Sequence, residues 1–326
     1  MLTPKENLYR MYHGEIPEYI PRGGFREFKC SGFVDIKAPG YHKDEFGVEY
    51  IGKDDVFGGA PIPMPGKYIL HDITKWRDVI KAPDLSGFDW ESMAKKDLEK
   101  IDRSTTGVVY YGGKIFQRLA DFMGFTEGLC AIAEEPEECK ALYDYLADYN
   151  CEILKNIMHY YKPDAVCIPD DTATALAPFI SPETYRELVK PAHMREAEVV
   201  LNGGAFIDMH DCGHCEAFID DWMDFHITSW NPAQPSNDIP AIKKKYGRKL
   251  IIAGGWDSQG PLAYSSVPED ELREALINYV DTCAPNGGFV FSAFAMGKPY
   301  KEGGKSSMQI VNEVYEEYAK NWYQTH

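Results

Sequence analysis

The stretch 205-AFIDMHDCGHCEAFIDDWM-223 holds, in nineteen residues, the unit from which most of the chain is built. An apolar run of β character, 205–209, ends at His210. A short polar loop with Gly213 follows, and beyond Glu216 the residues Phe218, Ile219 and Trp222 fall at helical spacing. Strand, loop and helix recur on both sides of it. Residues 106–111 read as a strand ending at Gly112-Gly113, and 139–160 as a long helix with Leu142, Tyr145, Leu146, Tyr149 and Ile153 on one face. Residues 164–168 form a strand ending at Pro169-Asp170-Asp171. Ser181-Pro182-Glu183 then offers an N-cap, a proline at the first helical position and an early acid, so a helix runs to about residue 201.

Downstream the pattern predicts strands over 225–229, 249–253 and 288–292, alternating with helices over 239–246, 268–283 and 306–322. Alternating β and α units imply parallel strands with right-handed crossovers. Their number predicts an α/β fold, a single (β/α)8 TIM barrel over residues 1–326. Residues 104–326 supply the main barrel units. Residues 1–103 form an N-terminal extension of helix and loops capping the barrel mouth, with 22-RGGFREFKCSGF-33 and 54-DDVFGGAPIPMPG-66 dense in glycine, proline and aromatics. In such barrels the site lies at the C-terminal ends of the strands.

At 326 residues and 44% hydrophobic, the chain can bury a large core. Its formal charge of −17 repels phosphate backbones and anionic lipid, which disfavours nucleic-acid and membrane partners. No apolar run reaches the roughly 20 residues that span a bilayer. The eight cysteines are scattered without a disulfide framework, and the N-terminus lacks a signal-peptide core, so a reduced, cytoplasmic protein is expected. Association as a homodimer is left open.

Candidate site residues follow from the strand ends. His210 and Cys212, two residues apart in a βα loop, can converge on one ion, and imidazole and thiolate are natural zinc ligands. The competing reading is a structural histidine beside a small apolar thiol. Cys215 makes a CxxC with Cys212, but its place late in a barrel series speaks against a thioredoxin-like role; it is a third metal ligand or a packed thiol. Asp170 and Asp171 are a carboxylate pair for general acid work or metal binding, at least one of which a helix cap would explain. Asp208 or Asp211 would hold the second nitrogen of His210. Tyr110, Tyr111, Trp230, Asn231, Trp256 and Met296 fall at or just past strand ends and would line an aromatic, substrate-binding mouth.

The order of these residues resembles the uroporphyrinogen decarboxylase superfamily. The likeness shows in the opening TPKENLYRMYHGEIPEYIP, in 45-EFGVEY-50, in 163-PDAVCIPDDTATALAPFISPETYRELVKPAH-193, in 206-FIDMHDCGH-214 and in 249-KLIIAGGWD-257. The resemblance implies a (β/α)8 barrel and one of two chemistries: porphyrinogen decarboxylation, or zinc-dependent methyl transfer linked to a corrinoid. The decarboxylase branch has an arginine-rich early loop and a late histidine; here those positions read 21-PRGGF-25 and 294-FAMG-297. The methyltransferase branch carries His-x-Cys, matched by His210-Asp211-Cys212, and a further cysteine on the last strand, which is absent. The resemblance therefore implies a corrinoid-dependent methyltransferase, the demethylase component for a small methoxylated or methylamine-like methyl donor. Zinc would sit at His210 and Cys212, with Cys215 or an Asp at a neighbouring strand end as third ligand, and the corrinoid on a partner protein. The alternatives are a lyase on the same barrel and a metal-free binding protein.

Overall fold

The computed structural model describes residues 2–33, 36–38, 40–52 and 61–326. Most of the loop-rich stretch 54–66, its residues 54–60, lies outside the described residues. Strand β1 (Arg26–Phe28) is followed by four short antiparallel strands: β2 (Ile36–Ala38), β3 (Tyr41–Lys43), β4 (Glu49–Ile51) and β5 (Ile62–Pro63). Six parallel strands come next: β6 (Val108–Tyr111), β7 (Ala165–Pro169), β8 (Phe206–His210), β9 (Ser229–Ala233), β10 (Ile251–Gly254) and β11 (Phe289–Val290). They pair in the order β1-β6-β7-β8-β9-β10-β11, all parallel. A parallel bridge from Arg22 to Phe291 joins the two ends, with the Phe291 amide donating to Pro21 O at 2.9 Å. The architecture is that of a (β/α)8 barrel with N-terminal excursions, with seven parallel strands among the described residues and the bridge closing the ring.

Two local expectations shift. β1 lies inside the stretch read as loop, because three residues flanked by glycines leave no alternation to detect. β9 starts at Ser229, not ends there: the helix Ile219–Asp224 stops at Phe225, and His226, with φ of 63°, turns the chain before the strand begins.

Side chains alternate along a strand, so each barrel strand has one row in the lumen and one facing the helices. The lumen rows include Val109 and Tyr111, Ala165 and Cys167, Phe206, Ile251 and Ala253, and Val290. Packed on them are Leu8, Met11 and Tyr12 of the helix Pro4–Tyr12, which opens with a Thr3–Glu6 capping box. That helix plugs the end where the strands begin: the Lys5 amide donates to Thr105 O, three residues before β6. The outward rows, such as Val108, Tyr110, Val166, Ile168, Ile207, Met209 and Ile252, join the larger core beneath the helices.

Of the N-terminal excursions, then, the helix closes the base, and the β2–β5 sheet stands at the mouth. Arg118, on the helix Phe116–Met123 after β6, holds that sheet by donating to Asp44 (2.6 Å) and Glu45 (2.9 Å) between β3 and β4.

The base is fastened at Asp164, just before β7. It accepts from Tyr9 Oη (2.6 Å) and the Val108 amide (2.7 Å), and pairs with Lys5 (2.9 Å) and Arg103 (3.0 Å). Burial pushes its pKa up, but hydrogen bonds from Tyr9, Val108 and Lys5 outweigh that and hold it below the ordinary 3.8. A folded value below the unfolded one means stability that is present above the ordinary carboxylate range and is lost as pH falls through the lowered value. Asp164→Asn should lower unfolding free energy by about 2 kcal/mol at neutral pH. In urea melts at a series of pH values the deficit should shrink in acid; a deficit independent of pH would show that the charge is not what matters.

Candidate metal centre

The alternation that sorts the barrel rows continues past the strand ends and builds the site. On β8 the lumen row reads Phe206, Asp208, His210, and one step beyond it comes Cys212. On β7 the row runs through Cys167 and Pro169 to Asp171. β7 and β8 are neighbours, with Pro169 in register with His210. Asp171, His210 and Cys212 therefore meet over the lumen, one ligand atom from each lying within 4.8 Å of the others. His210 Nε2 is 3.8 Å from Cys212 Sγ and 3.9 Å from Asp171 Oδ1. Each is roughly a third exposed or less, so the group is set in the wall yet open to the mouth.

Hydrogen bonds in both directions lock the two loops together. Asp171 Oδ1 accepts the Cys212 amide (3.0 Å), while buried Asp211 accepts the Thr172 amide (2.9 Å) and Thr172 Oγ1 (2.6 Å). Each loop thus grips the backbone of the other. Burial pushes the Asp211 carboxyl well above its usual range, against the pull of the Thr172 hydroxyl and amide. The Cys212 thiol is raised as well, by burial first and then by the adjacent Asp171.

His210 Nδ1 lies 2.8 Å from Asn231 Oδ1, on the neighbouring strand β9. The partner expected for that nitrogen was Asp208 or Asp211, and neither is it. Asp208 points down the lumen, where it accepts from Tyr12 Oη at 3.1 Å and burial pushes its pKa up to about 7. Asp211 points the other way, into the loop lock.

The remaining sequence-derived candidates are distributed as follows. Asp170 is buried; it accepts the Phe116 (2.7 Å) and Gln117 (2.7 Å) amides at the start of the helix Phe116–Met123 and meets His193 Nε2 at 3.1 Å. Cys215 is fully buried, its thiol donating to Cys212 O (3.0 Å) and Asp211 Oδ1 (3.3 Å), and it stands outside the three-ligand group. Tyr111 faces the lumen, its ring 6.1 Å from that of His210. Tyr110 and Trp230 sit on outward rows: Tyr110 packs on Phe28, and the fully buried Trp230 donates its Nε1 to Asp211 O. Trp256 is buried against Tyr279 and donates to Phe294 O, whereas Met296 is 54% exposed.

A cleft of about 460 Å3 opens beside the ligand group, with Asp171 and Cys212 in its wall. Its apolar lining comes from Tyr68, Phe116, Phe125 and Phe179, with Ile62, Pro63 and Pro65 from the β5 segment. Phe179 lies parallel to Phe116 at 6.2 Å and edge-on to Phe125 at 4.6 Å. No lysine or arginine is among the described residues that line it. These aromatics were not singled out in the sequence, since they sit on helices and loops where no strand end marks them. The one available signal was Phe116 and Phe125, which open the two helices after the Gly112-Gly113 turn.

Fold and site together define a (β/α)8 barrel with three convergent side chains that could hold a metal ion at its C-terminal mouth. The model of the uroporphyrinogen decarboxylase (URO-D) family matches residues 116–298, more than half of the chain, and the chain belongs to that family. A methyltransferase from Methanosarcina mazei has a similar structure, with a TM-score of 0.61 and 14% sequence identity, covering 98% of this chain and 100% of that one. At that identity the likeness is one of fold. No curated protein matches the chain. No helix among the described residues is long and apolar enough to cross a membrane.

Proposed function

We propose that this protein is a methyltransferase that moves a methyl group between a small methoxylated or methylamine-like compound and the cobalt of a corrinoid carried by a separate protein. The observation that carries the reading is the convergence of Asp171, His210 and Cys212 at the edge of an aromatic cleft. The donor set fits zinc. It offers one nitrogen, one sulfur and one oxygen, and its separations of 3.8 and 3.9 Å compare with about 3.5 Å along the edge of a tetrahedral site with ordinary zinc–ligand lengths. Three protein ligands would leave a fourth position for substrate, as in catalytic rather than structural zinc. Asp171 would then serve as the third ligand in a chain whose last barrel strand offers no cysteine.

Zinc bound there would act as a Lewis acid toward the oxygen or nitrogen that leaves the methyl group, and with a single thiolate among its ligands it would keep more of its positive charge than a two-thiolate site. The chain's own part is to bind and orient. Phe116, Phe125, Phe179 and Tyr68 give a flat apolar substrate area to pack on and exclude water from its methylated end. The Asp211–Thr172 and Asp171–Cys212 bonds hold the ligand loops still while substrate binds. Asp170 is committed to two amides and His193, so the proposed acid or ligand role falls to Asp171 alone.

Among the described residues that line the cleft, no lysine or arginine offers the decarboxylase alternative a cationic cradle. Arg22, in the early loop, donates to Asn312 Oδ1 and lies over the Tyr315 ring on the outside of the barrel, and Arg118 is held by Asp44 and Glu45. The test is to supply zinc-loaded protein with a methoxylated aromatic compound and a cob(I)alamin-bearing protein and follow methylcobalamin by absorbance. Methyl transfer is expected. Carbon dioxide release from a carboxylated substrate without any corrinoid would replace this reading with the lyase one. Phe179→Ala should raise KM about tenfold or more with little change in kcat, because it removes apolar contact made equally in ground and transition states. A fall in kcat at constant KM would place Phe179 elsewhere in the mechanism.

A further inference from the structure

The geometry points to Asn231 as the positioning residue that sets the tautomer of His210, and so decides which imidazole nitrogen faces the ligand group. The inference rests on the metal-site reading above, and its first test does not need metal. His210 and Asn231 are register partners on β8 and β9, and their side chains meet at 2.8 Å between Nδ1 and Oδ1. The amide orientation follows from its other end: Asn231 Nδ2 is 3.4 Å from Met209 O, and a carbonyl oxygen can only accept, so the group there is the NH2. The atom facing His210 is then the amide oxygen, which carries no hydrogen. Nδ1 must donate.

A neutral imidazole has one N–H. With the proton on Nδ1, the Nε2 lone pair is left toward Cys212 Sγ and Asp171 Oδ1. An unconstrained neutral histidine favours the opposite tautomer, with the proton on Nε2, which would turn a donor hydrogen toward the place of the ion. Asn231 removes that state before any metal arrives. The choice of an amide matters too. Carboxylates and backbone carbonyls are the usual partners of metal-binding histidines. Asn231 gives the same direction without adding a negative charge to a group that already holds Asp171 and Cys212. Asn231 is a candidate substrate contact in the sequence, and in the structure its amide oxygen faces His210.

The test uses the full chain. In metal-free wild-type protein, nitrogen NMR of labelled histidine at a pH where imidazole is neutral should find the His210 proton on Nδ1. Asn231→Leu, which removes the acceptor at similar size, should shift it to Nε2 or to a mixture, and weaken zinc binding about ten- to a hundredfold in a competition titration. Asn231→Asp keeps an acceptor at the same point and should retain the Nδ1 proton, with zinc affinity within a few-fold of wild type. A wild-type proton on Nε2, or an Asn231→Leu variant that binds zinc as tightly as wild type, would overturn the assignment. Wild-type protein that binds no zinc at all would overturn the metal reading, and the tautomer measurement would still decide the role of Asn231.

Discussion

Purified protein reconstituted with zinc should hold about one ion per chain, and a His210→Ala, Cys212→Ala double variant should hold close to none. Zinc binding by four-ligand sites is worth on the order of 10–16 kcal/mol, so each ligand accounts for roughly 3 kcal/mol, a hundredfold or more in affinity. Two of the three ligands removed leave only Asp171, which cannot hold the ion at micromolar concentration. The single variants separate the third ligand. Asp171→Ala should cost about a hundredfold in affinity, whereas Cys215→Ala should leave the stoichiometry unchanged, because the Cys215 thiol is turned into Cys212 O and Asp211. Elemental analysis together with a competition titration gives both results. Zinc retained by the double variant, or lost on changing Cys215 but not Asp171, would sink the assignment of the centre. Because the ion binds only the folded chain, wild-type melting temperature should also rise with zinc, and that of the double variant should not.

Much of this site could be read from residues alone, and the limit of that reading has a plain physical form. His210 and Cys212 were legible because they stand two residues apart at a strand end: His210 closes β8 and Cys212 lies just beyond it, so alternation puts them on one side. The same rule separates Asp170 from Asp171: adjacent residues cannot share a face. It also sends Tyr110 and Trp230 outward while Tyr111 and Asn231 face the lumen. The parity was in the sequence, but it could be applied only once the register was known, and the reading that started β9 four residues early hid it for Trp230 and Asn231. The third ligand depended on something further, namely that β7 and β8 are adjacent with Pro169 opposite His210. The aromatic cleft was less accessible still. Its walls belong to the helix Phe116–Met123, the segment around Phe179 and the β5 strand, and which of their faces meet is decided by packing between elements distant in the chain.

The fold itself was legible for a different reason. Units of strand, glycine- or acid-ended loop and helix repeat along the chain, and parallel connection leaves few ways to join them. What escaped was β1, three residues long, and the sheet β2–β5, whose two- and three-residue strands give no period to count. The helix Pro4–Tyr12 was visible as a helix, but not as a plug for the base, since the same amphipathic face could equally have covered the mouth.

Gly213→Ala should be the most damaging single-methyl change near the site, lowering unfolding free energy by about 4 kcal/mol. Gly213 has a φ of 94°, a conformation that costs an L-residue roughly 1–3 kcal/mol. A Cβ there would come within 2.5 Å of Thr174 O and 2.6 Å of Ala173 O, backbone atoms that cannot swing aside as a side-chain tip could. Relieving that overlap costs about 1–3 kcal/mol more. The position is crowded because three loops meet at it. Its N–H donates to Gln234 Oε1 (2.7 Å), its carbonyl accepts from Asn237 Nδ2 (2.8 Å), and the next amide, of His214, donates to Thr174 O (2.7 Å). Any shift that frees the methyl group also drags Cys212, the preceding residue, away from His210 and Asp171, so zinc affinity should fall at least tenfold in the molecules that remain folded. Gly66→Ala is the matched control: its φ of 75° imposes a similar strain, but no described residue lies within 4 Å of the added carbon. Urea melts should place Gly66→Ala near wild type, about 1 kcal/mol lower, and Gly213→Ala well below it. Equal losses in the two variants would mean that backbone conformation alone, and not the contact between the β7 and β8 loops, requires glycine at this point.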